Sequence, residues 1–444
     1  MGARRDTRWP CFAAALVLAA GCGRFGFDEG DDAGDDTVDV TARVTVRLDG
    51  AGMGTVIGLD QDCTTTECFV DVDLGTSFSL RGIATSDGWF RGWSGPCGGR
   101  SDCDFVADAD VTIAATFTPR PNYAFLSSTT TTGAIGSVAA ADTICADAAT
   151  DAGFEGVFVA YLSSTTSNAA ERLAGSRGWI RVDGAPVADL PNDFRTGPLI
   201  YPIRLDEDGV DLGAVEVYTA TRGGDFYGES CLDWTTIDPT VSGHSASAAW
   251  TSILATESFA ADCDEAKHLL CVETGRSVPV VAVPHTSGRV GFVTRAGWTP
   301  GGGIASADAA CAAEATSIGR TGTFVAMLAT STTTAAGRMT VPGAPWMRLD
   351  GVRYSDDVAN TFSGTHVDVP FELDSDGQRV DDIVWIGAQG TSIVASSPSD
   401  NCSDWTSTDA AVDGIYGYTA TTYLGNQGKQ LACDNAARLF CVEQ

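Results

Sequence analysis

Histidine, methionine and positive charge are scarce in this chain. Its 444 residues include four histidines, five methionines and 27 lysines and arginines, against 58 aspartates and glutamates. The formal net charge of −31 leaves no basic face to replace the counterions of a nucleic acid. It also opposes docking on anionic lipid through a polybasic patch. The histidines are scattered and give no pair at i, i+4 of the kind that binds zinc on a helix. No apolar run approaches the roughly twenty residues that a membrane-spanning helix needs. What the chain does have is a hydrophobic share of 44% and a charged share of 19%, the balance of a globular protein. At about 100–200 residues per domain its length allows two to four domains. Fourteen cysteines beside so few histidines favour disulfides over zinc sites.

The N-terminus reads as an address. Arg4, Arg5 and Arg8 precede a short apolar stretch, Phe12 to Ala20, too short to span a bilayer and of the form of a signal peptide over residues 1–21. It ends in Leu18-Ala19-Ala20-Gly21-Cys22, which resembles a bacterial lipobox, with Ala19 where leucine is usual. The resemblance implies cleavage before Cys22 and lipidation of its thiol. Gly23, in place of aspartate, implies sorting to the outer membrane and the cell surface. Residues 22–41 then carry seven acidic residues (Asp28, Glu29, Asp31, Asp32, Asp35, Asp36, Asp39). Their mutual repulsion extends the segment into a tether. With Cys11 in the signal and Cys22 acylated, twelve of the fourteen cysteines remain, in three sets of four. An even number per set in an exported chain is a disulfide framework.

Residues 42–121 read as a small all-β module. Val44, Val46 and Leu48 alternate with polar neighbours, as do Val111, Ile113, Ala115 and Phe117. The stretch Phe90-Arg91-Gly92-Trp93-Ser94-Gly95-Pro96-Cys97, with the closing VTIAATF, resembles the divergent internalin B-repeat family. That implies a β-grasp-like domain that spaces or displays others. Cys63, Cys68, Cys97 and Cys103 allow three pairings. Two local ones, Cys63 with Cys68 and Cys97 with Cys103, are preferred, because each pins a loop tip that so small a domain cannot hold by burial.

The rest of the chain is an internal repeat. Cys145, Cys231, Cys263 and Cys271 recur as Cys311, Cys402, Cys433 and Cys441. Gly156-Val157-Phe158-Val159-Ala160 matches Gly322-Thr323-Phe324-Val325-Ala326, and Cys231-Leu232-Asp233-Trp234 matches Cys402-Ser403-Asp404-Trp405. Two copies of one domain, 122–273 and 288–444, are joined by a proline-bearing linker, 274–287. Each copy opens with a helical period: Val138, Ala141, Cys145 and Ala148 in the first, Ile304, Ala307, Cys311 and Ala315 in the second. Gly153 and Gly319 are the expected stops. Short strands and Gly/Asp-rich loops follow.

The Cys-x7-Cys ending, Cys263 to Cys271 and Cys433 to Cys441, each followed by Val-Glu, resembles the end of a C-type lectin-like domain. The resemblance implies an α+β fold with Cys145 bonded to Cys271, Cys231 to Cys263, Cys311 to Cys441 and Cys402 to Cys433. The whole repeat, from the AFLSS opening to the CVE ending, also resembles an uncharacterised bacterial lipoprotein domain related to endostatin, placed in the same fold and bringing no activity with it. The Glu-Pro-Asn or Gln-Pro-Asp loop and the Trp-Asn-Asp of calcium-dependent lectins are missing from both copies. Calcium is a weak cofactor candidate: Asp206, Asp208 and Asp211, and Asp374, Asp376 with Asp381 or Asp382, could grip it through carboxylate oxygens, but Asp-Gly there is also a preferred β-turn. Trp234 and Trp405 are expected to pack on the disulfides. Trp179 and Trp346, before Arg181 and Arg348, are candidates for an exposed platform. Gly243-His244-Ser245-Ala246-Ser247 approaches a nucleophile elbow but lacks its final glycine.

The leading expectation is therefore a non-enzymatic, lipid-anchored surface binding or adhesion protein, with no catalytic residues and a protein or polysaccharide partner. A carbohydrate-binding lectin, a structural envelope protein and a hydrolase at Ser245 are the alternatives.

Overall fold

The computed structural model describes residues 41–257, 259–339, 343–355, 367–423 and 429–444. The expected signal peptide, Cys22 and the expected acidic tether as far as residue 40 lie outside the described residues. From Thr41 onward the chain is β-rich, with several small sheets, few helices and six disulfides. Among the described residues no helix is long and apolar enough to cross a membrane.

The first module is built from β1 (Thr41–Asp49), β2 (Gly54–Ile57), β3 (Glu67–Asp73), β4 (Thr76–Ala84), β5 (Gly88–Ser94), β6 (Cys103–Ala107) and β7 (Val111–Pro119). Strand β1 points Ala42, Val44, Val46 and Leu48 inward on alternate positions, as a half-buried strand must. It pairs antiparallel with β3 and parallel with β7, in the order β3-β1-β7-β5, while β2, β4 and β6 form a second sheet. Phe90 is the centre of the aromatic core, 5.1 Å from Phe117 and 5.0 Å from Trp93. Cys63 bonds to Cys68 and Cys97 to Cys103, so each bridge closes a local loop.

In each copy a helix carries the first cysteine inward. The helix Val138–Asp151 starts at Ser137, whose hydroxyl accepts from the Ala140 amide, and buries Ala141, Cys145 and Ala149. Its counterpart Gly303–Ser317 buries Ala307, Cys311 and Ala315. Gly153 and Gly319 follow with φ of 78° and 75°, the left-handed conformation that ends helices. The strand His268–Thr274 is the hub of the first copy, pairing with Asn122–Leu126, Val157–Ala160 and Glu216–Tyr218. Phe440–Glu443 does the same for Arg289–Val293 and Phe324–Ala326. Cys145–Cys271 and Cys311–Cys441 tie each helix to its hub strand across 126 and 130 residues of chain. On the chain-entropy model each such closure stabilises by about 5 kcal/mol.

The second bridges, Cys231–Cys263 and Cys402–Cys433, sit beside an uncommon turn. Cys231, Leu232, Asp233 and Trp234 all have positive φ (50°, 55°, 53° and 67°), and Cys402 to Trp405 repeat it (52° to 68°). A left-handed residue other than glycine costs roughly 1–2 kcal/mol, so these turns need support. The Asp233 carboxylate accepts from the amide and hydroxyl of Thr165, and Ser230 caps the Asp233 amide. Asp404 accepts from the Ser331 amide (2.7 Å) and hydroxyl (2.6 Å), and Asn401 caps it. The indoles of Trp234 and Trp405 are buried and donate to the carbonyls of Ser163 and Ala329.

The two copies meet in a pseudo-twofold seam. The Thr251 amide donates to the Ala420 carbonyl (3.0 Å) and the Thr422 amide to the Ala249 carbonyl (2.9 Å), crossing at an antiparallel bridge between Trp250 and Thr421. The Leu199 amide donates to Thr251 and the Val367 amide to Thr422 in the same way. Around this cross the charges are exchanged. The first copy buries Arg204, paired with Asp211, and its guanidinium reaches the Val367 carbonyl and the Thr422 hydroxyl. At the matching positions the second copy has Glu372 and Arg379. Arg379 reaches the Leu199 carbonyl, and Glu372 accepts from the Thr251 hydroxyl. The sign is reversed at both positions, yet each copy still reaches a threonine hydroxyl and a backbone carbonyl of the other, the carbonyl through Arg204 in one direction and Arg379 in the other.

The linker 274–287, expected to be held extended by its prolines, packs against its neighbours. Val280 is buried with Trp89 and Ile180. The Gly99 amide donates to Pro284, and the His285 amide to Gly351.

Two predictions follow from this packing. Glu372 is the shared partner of buried Arg348 and of Arg379. Glu372→Ala leaves Arg379 without its carboxylate and Arg348 with Asp350 alone, and is expected to cost about 3 kcal/mol, read as a lower urea or thermal midpoint. The Ser331 hydroxyl holds the Asp404 carboxyl below its ordinary value, and the Thr165 hydroxyl does so for Asp233. Stability from a depressed carboxyl is present above its unfolded pKa of about 3.9 and is lost as pH falls through the folded value. The wild type should therefore exceed Asp404→Asn in melting temperature at pH 6, and the gap should close by pH 2.

Candidate ligand cleft at the seam

The seam creates a cleft of about 170 Å³ whose walls come from both copies. The first copy supplies Glu216, Trp250 and Phe259, and the second supplies Tyr418, Tyr423 and Lys429. The strand Ser242–Ser247 lies between Glu216–Tyr218 and Phe259–Asp262, pairing Ser247 with Glu216 on one side and Ser245 with Phe259 on the other. Trp250 follows that strand at the point where the chain crosses to the second copy. Tyr418 ends the strand Asp413–Tyr418. Its ring lies 5.2 Å from the Trp250 ring, tilted by 56°, and 5.7 Å from Tyr416. Phe259 is 47% exposed, an apolar face open to solvent at the rim.

Charged groups flank the rings. The Lys429 ammonium donates to the Tyr418 hydroxyl (2.9 Å) and lies 4.9 Å from its ring centre. Glu216 pairs with Lys267, which also pairs with Glu265. Burial works against the Lys267 charge, but the two carboxylates outweigh it and hold its pKa above the ordinary value. The Ser245 hydroxyl contacts Glu216 and the Phe259 carbonyl, each at 3.3 Å. Aromatic faces with polar groups at their edges suit a ligand that has an apolar face and hydroxyls around it.

The residues singled out in the sequence lie elsewhere. Asp206 and Asp374 are buried, and each uses one carboxylate oxygen on its own turn. Asp206 accepts from the amides of Asp208 and Val210, and Asp374 from those of Asp376 and Gln378. These four aspartates are thus arranged as turns. Among the described residues no group of three or more His, Cys, Asp or Glu side chains is placed to hold a metal ion. The expectation of exposed platforms at Trp179 and Trp346 is corrected: both are 0% exposed, and their indoles donate to the carbonyls of Glu273 and Glu443. The hub strand needs an apolar cover, and these indoles provide it. Arg181 and Arg348 are buried beside Asp183 and Asp350. Ser245 is also buried, and neither of the hydroxyl partners above is a histidine.

Sequence reasoning missed Trp250, Phe259, Tyr418, Tyr423 and Lys429. A usable signal was present in the repeat itself. At matched positions Ser247 stands for Tyr418 and Trp250 for Thr421, so each aromatic occurs in one copy only. Such a pattern marks a surface that the shared fold does not require. No family model matches this chain, and no curated protein matches it.

Proposed function

We propose that this chain is an exported, lipid-anchored surface binding protein without catalytic activity, whose two copies are lectin-like domains that hold a saccharide in the cleft between them. The carrying observation is the cleft, with aromatic faces from both copies and a carboxylate and an ammonium at its edges. Support for the lectin-like reading comes from the helix-to-last-strand bridge and the inner bridge in each copy. In this reading the first module is an internalin B-repeat-like spacer. The lipid anchor at Cys22 rests on the lipobox-like sequence. Because the cleft is shared, the two copies bind as one unit.

The test is a glycan array probed with residues 23–444 in calcium and again in chelator. Saccharide hits should persist in chelator, and Phe259→Ala should weaken them by up to about tenfold, the worth of one aromatic contact. A blank array, hits that require calcium, or hits unaffected by Phe259→Ala contradict the reading. Anchoring is tested separately: Cys22→Ser should move the protein from the membrane fraction to the soluble fraction and remove the mass of the lipid. An unchanged distribution and mass rule the anchor out.

A further inference from the structure

The polar atoms at the edges of the seam cleft are only partly used by the protein. The Lys429 ammonium has three N–H donors. One goes to the Tyr418 hydroxyl (2.9 Å), and among the described residues the ammonium meets no other acceptor and no carboxylate. Glu216 receives Lys267 and the Ser245 hydroxyl, both on Oε2. Its Oε1 accepts from no described residue, and the side chain is 41% exposed. The strand registers show that these groups belong to one copy each. Glu216 pairs with Ser247 as Ile383 pairs with Tyr418 in the second copy. Ser245 pairs with Phe259, and the amide of Tyr416, at the position matching Ser245, donates to the Lys429 carbonyl. Phe259 and Lys429 are therefore matched positions, with a ring on one side of the cleft and a cation on the other.

The two charges that line the cleft are thus not equivalent. The charge of Glu216 is met by Lys267, whose second carboxylate partner, Glu265, does not line the cleft. What Glu216 offers a ligand is an acceptor oxygen, suited to a hydroxyl. The charge of Lys429 is met by nothing on the protein, and an ammonium is a compact point charge that favours an anion of any shape. An amino sugar would bring a second cation to Lys429 and find Glu216 already paired. The chain's net charge of −31 opposes anions at long range, but at about 0.15 M salt charges more than roughly 8 Å away are largely screened. The volume of about 170 Å³ lies below the roughly 300–1,000 Å³ of drug-sized pockets, which limits the occupant to one sugar ring.

We propose that the saccharide held in this cleft is an acidic one: its ring packs on the aromatic side chains, its anionic group meets Lys429 and a hydroxyl donates to Glu216. The proposal rests on the saccharide reading of the cleft and names its substrate class. The test is a calorimetric titration of the full chain with D-glucuronate, D-glucose and D-glucosamine at about 0.15 M salt. Glucuronate should bind about fivefold tighter than glucose, the worth of one exposed ion pair, and glucosamine should bind more weakly than glucose. Lys429→Gln should bring glucuronate to the level of glucose, and Lys429→Arg should keep the preference. Lys429 is exposed and has no ion pair to lose, so both variants keep the fold. Glucose bound as tightly as glucuronate, or a preference that survives Lys429→Gln, overturns the acidic assignment and leaves the saccharide reading standing. Absence of any sugar response, on the glycan array as well as here, overturns that reading and this inference with it.

Discussion

Two crossed amide-to-carbonyl hydrogen bonds, Thr251 to Ala420 and Thr422 to Ala249, are the constraint on which the shape of the aromatic cleft depends. They turn a tandem repeat into one body. The aromatic cleft needs Trp250 from one side of this cross and Tyr418 from the other. Tandem domains on a flexible linker gain avidity from effective concentration. Copies fixed at a shared seam instead build a site that neither one contains.

The exchange of charge around the cross accounts for how such a seam is kept in one arrangement. A buried cation or carboxylate is tolerated only with partners in place. Arg204 has Asp211 within its own copy and two acceptors across the seam. Glu372 has Arg348 and Arg379 in its own copy and a donor across the seam. Sliding one copy past the other would strip both of their cross-seam partners at once. The docked segment after residue 274 and the indole of Trp89 extend the same fixation to the first module.

What the sequence made legible was local or periodic. Alternation in β1 and the helical step through Cys145 and Cys311 each rest on a short repeat of burial that the chain displays directly. The nearly constant offset between the two cysteine sets, 166 to 171 residues, displayed the duplication. The seam left no such trace, because Thr251 and Ala420 are far apart in sequence and neither lies in a period. Trp179 and Trp346 misled because an indole beside an arginine and an aspartate looks like a surface group. In the fold the arginine and the aspartate satisfy one another and the indole covers the hub strand. The left-handed turns at Cys231 and Cys402 were illegible for another reason. Leu232 and Ser403 have no preference for that conformation, which is imposed by the contacts of Asp233 and Asp404.

The central claim, that the two copies form one body through the seam, is tested most directly by hydrogen exchange of the full chain. The amides of Thr251 and Thr422 should be protected together, to a degree comparable with the amides of the hub strands that carry Cys271 and Cys441. Rapid exchange at Thr251 and Thr422 while those strands remain protected would show that the copies move independently, and would contradict the account.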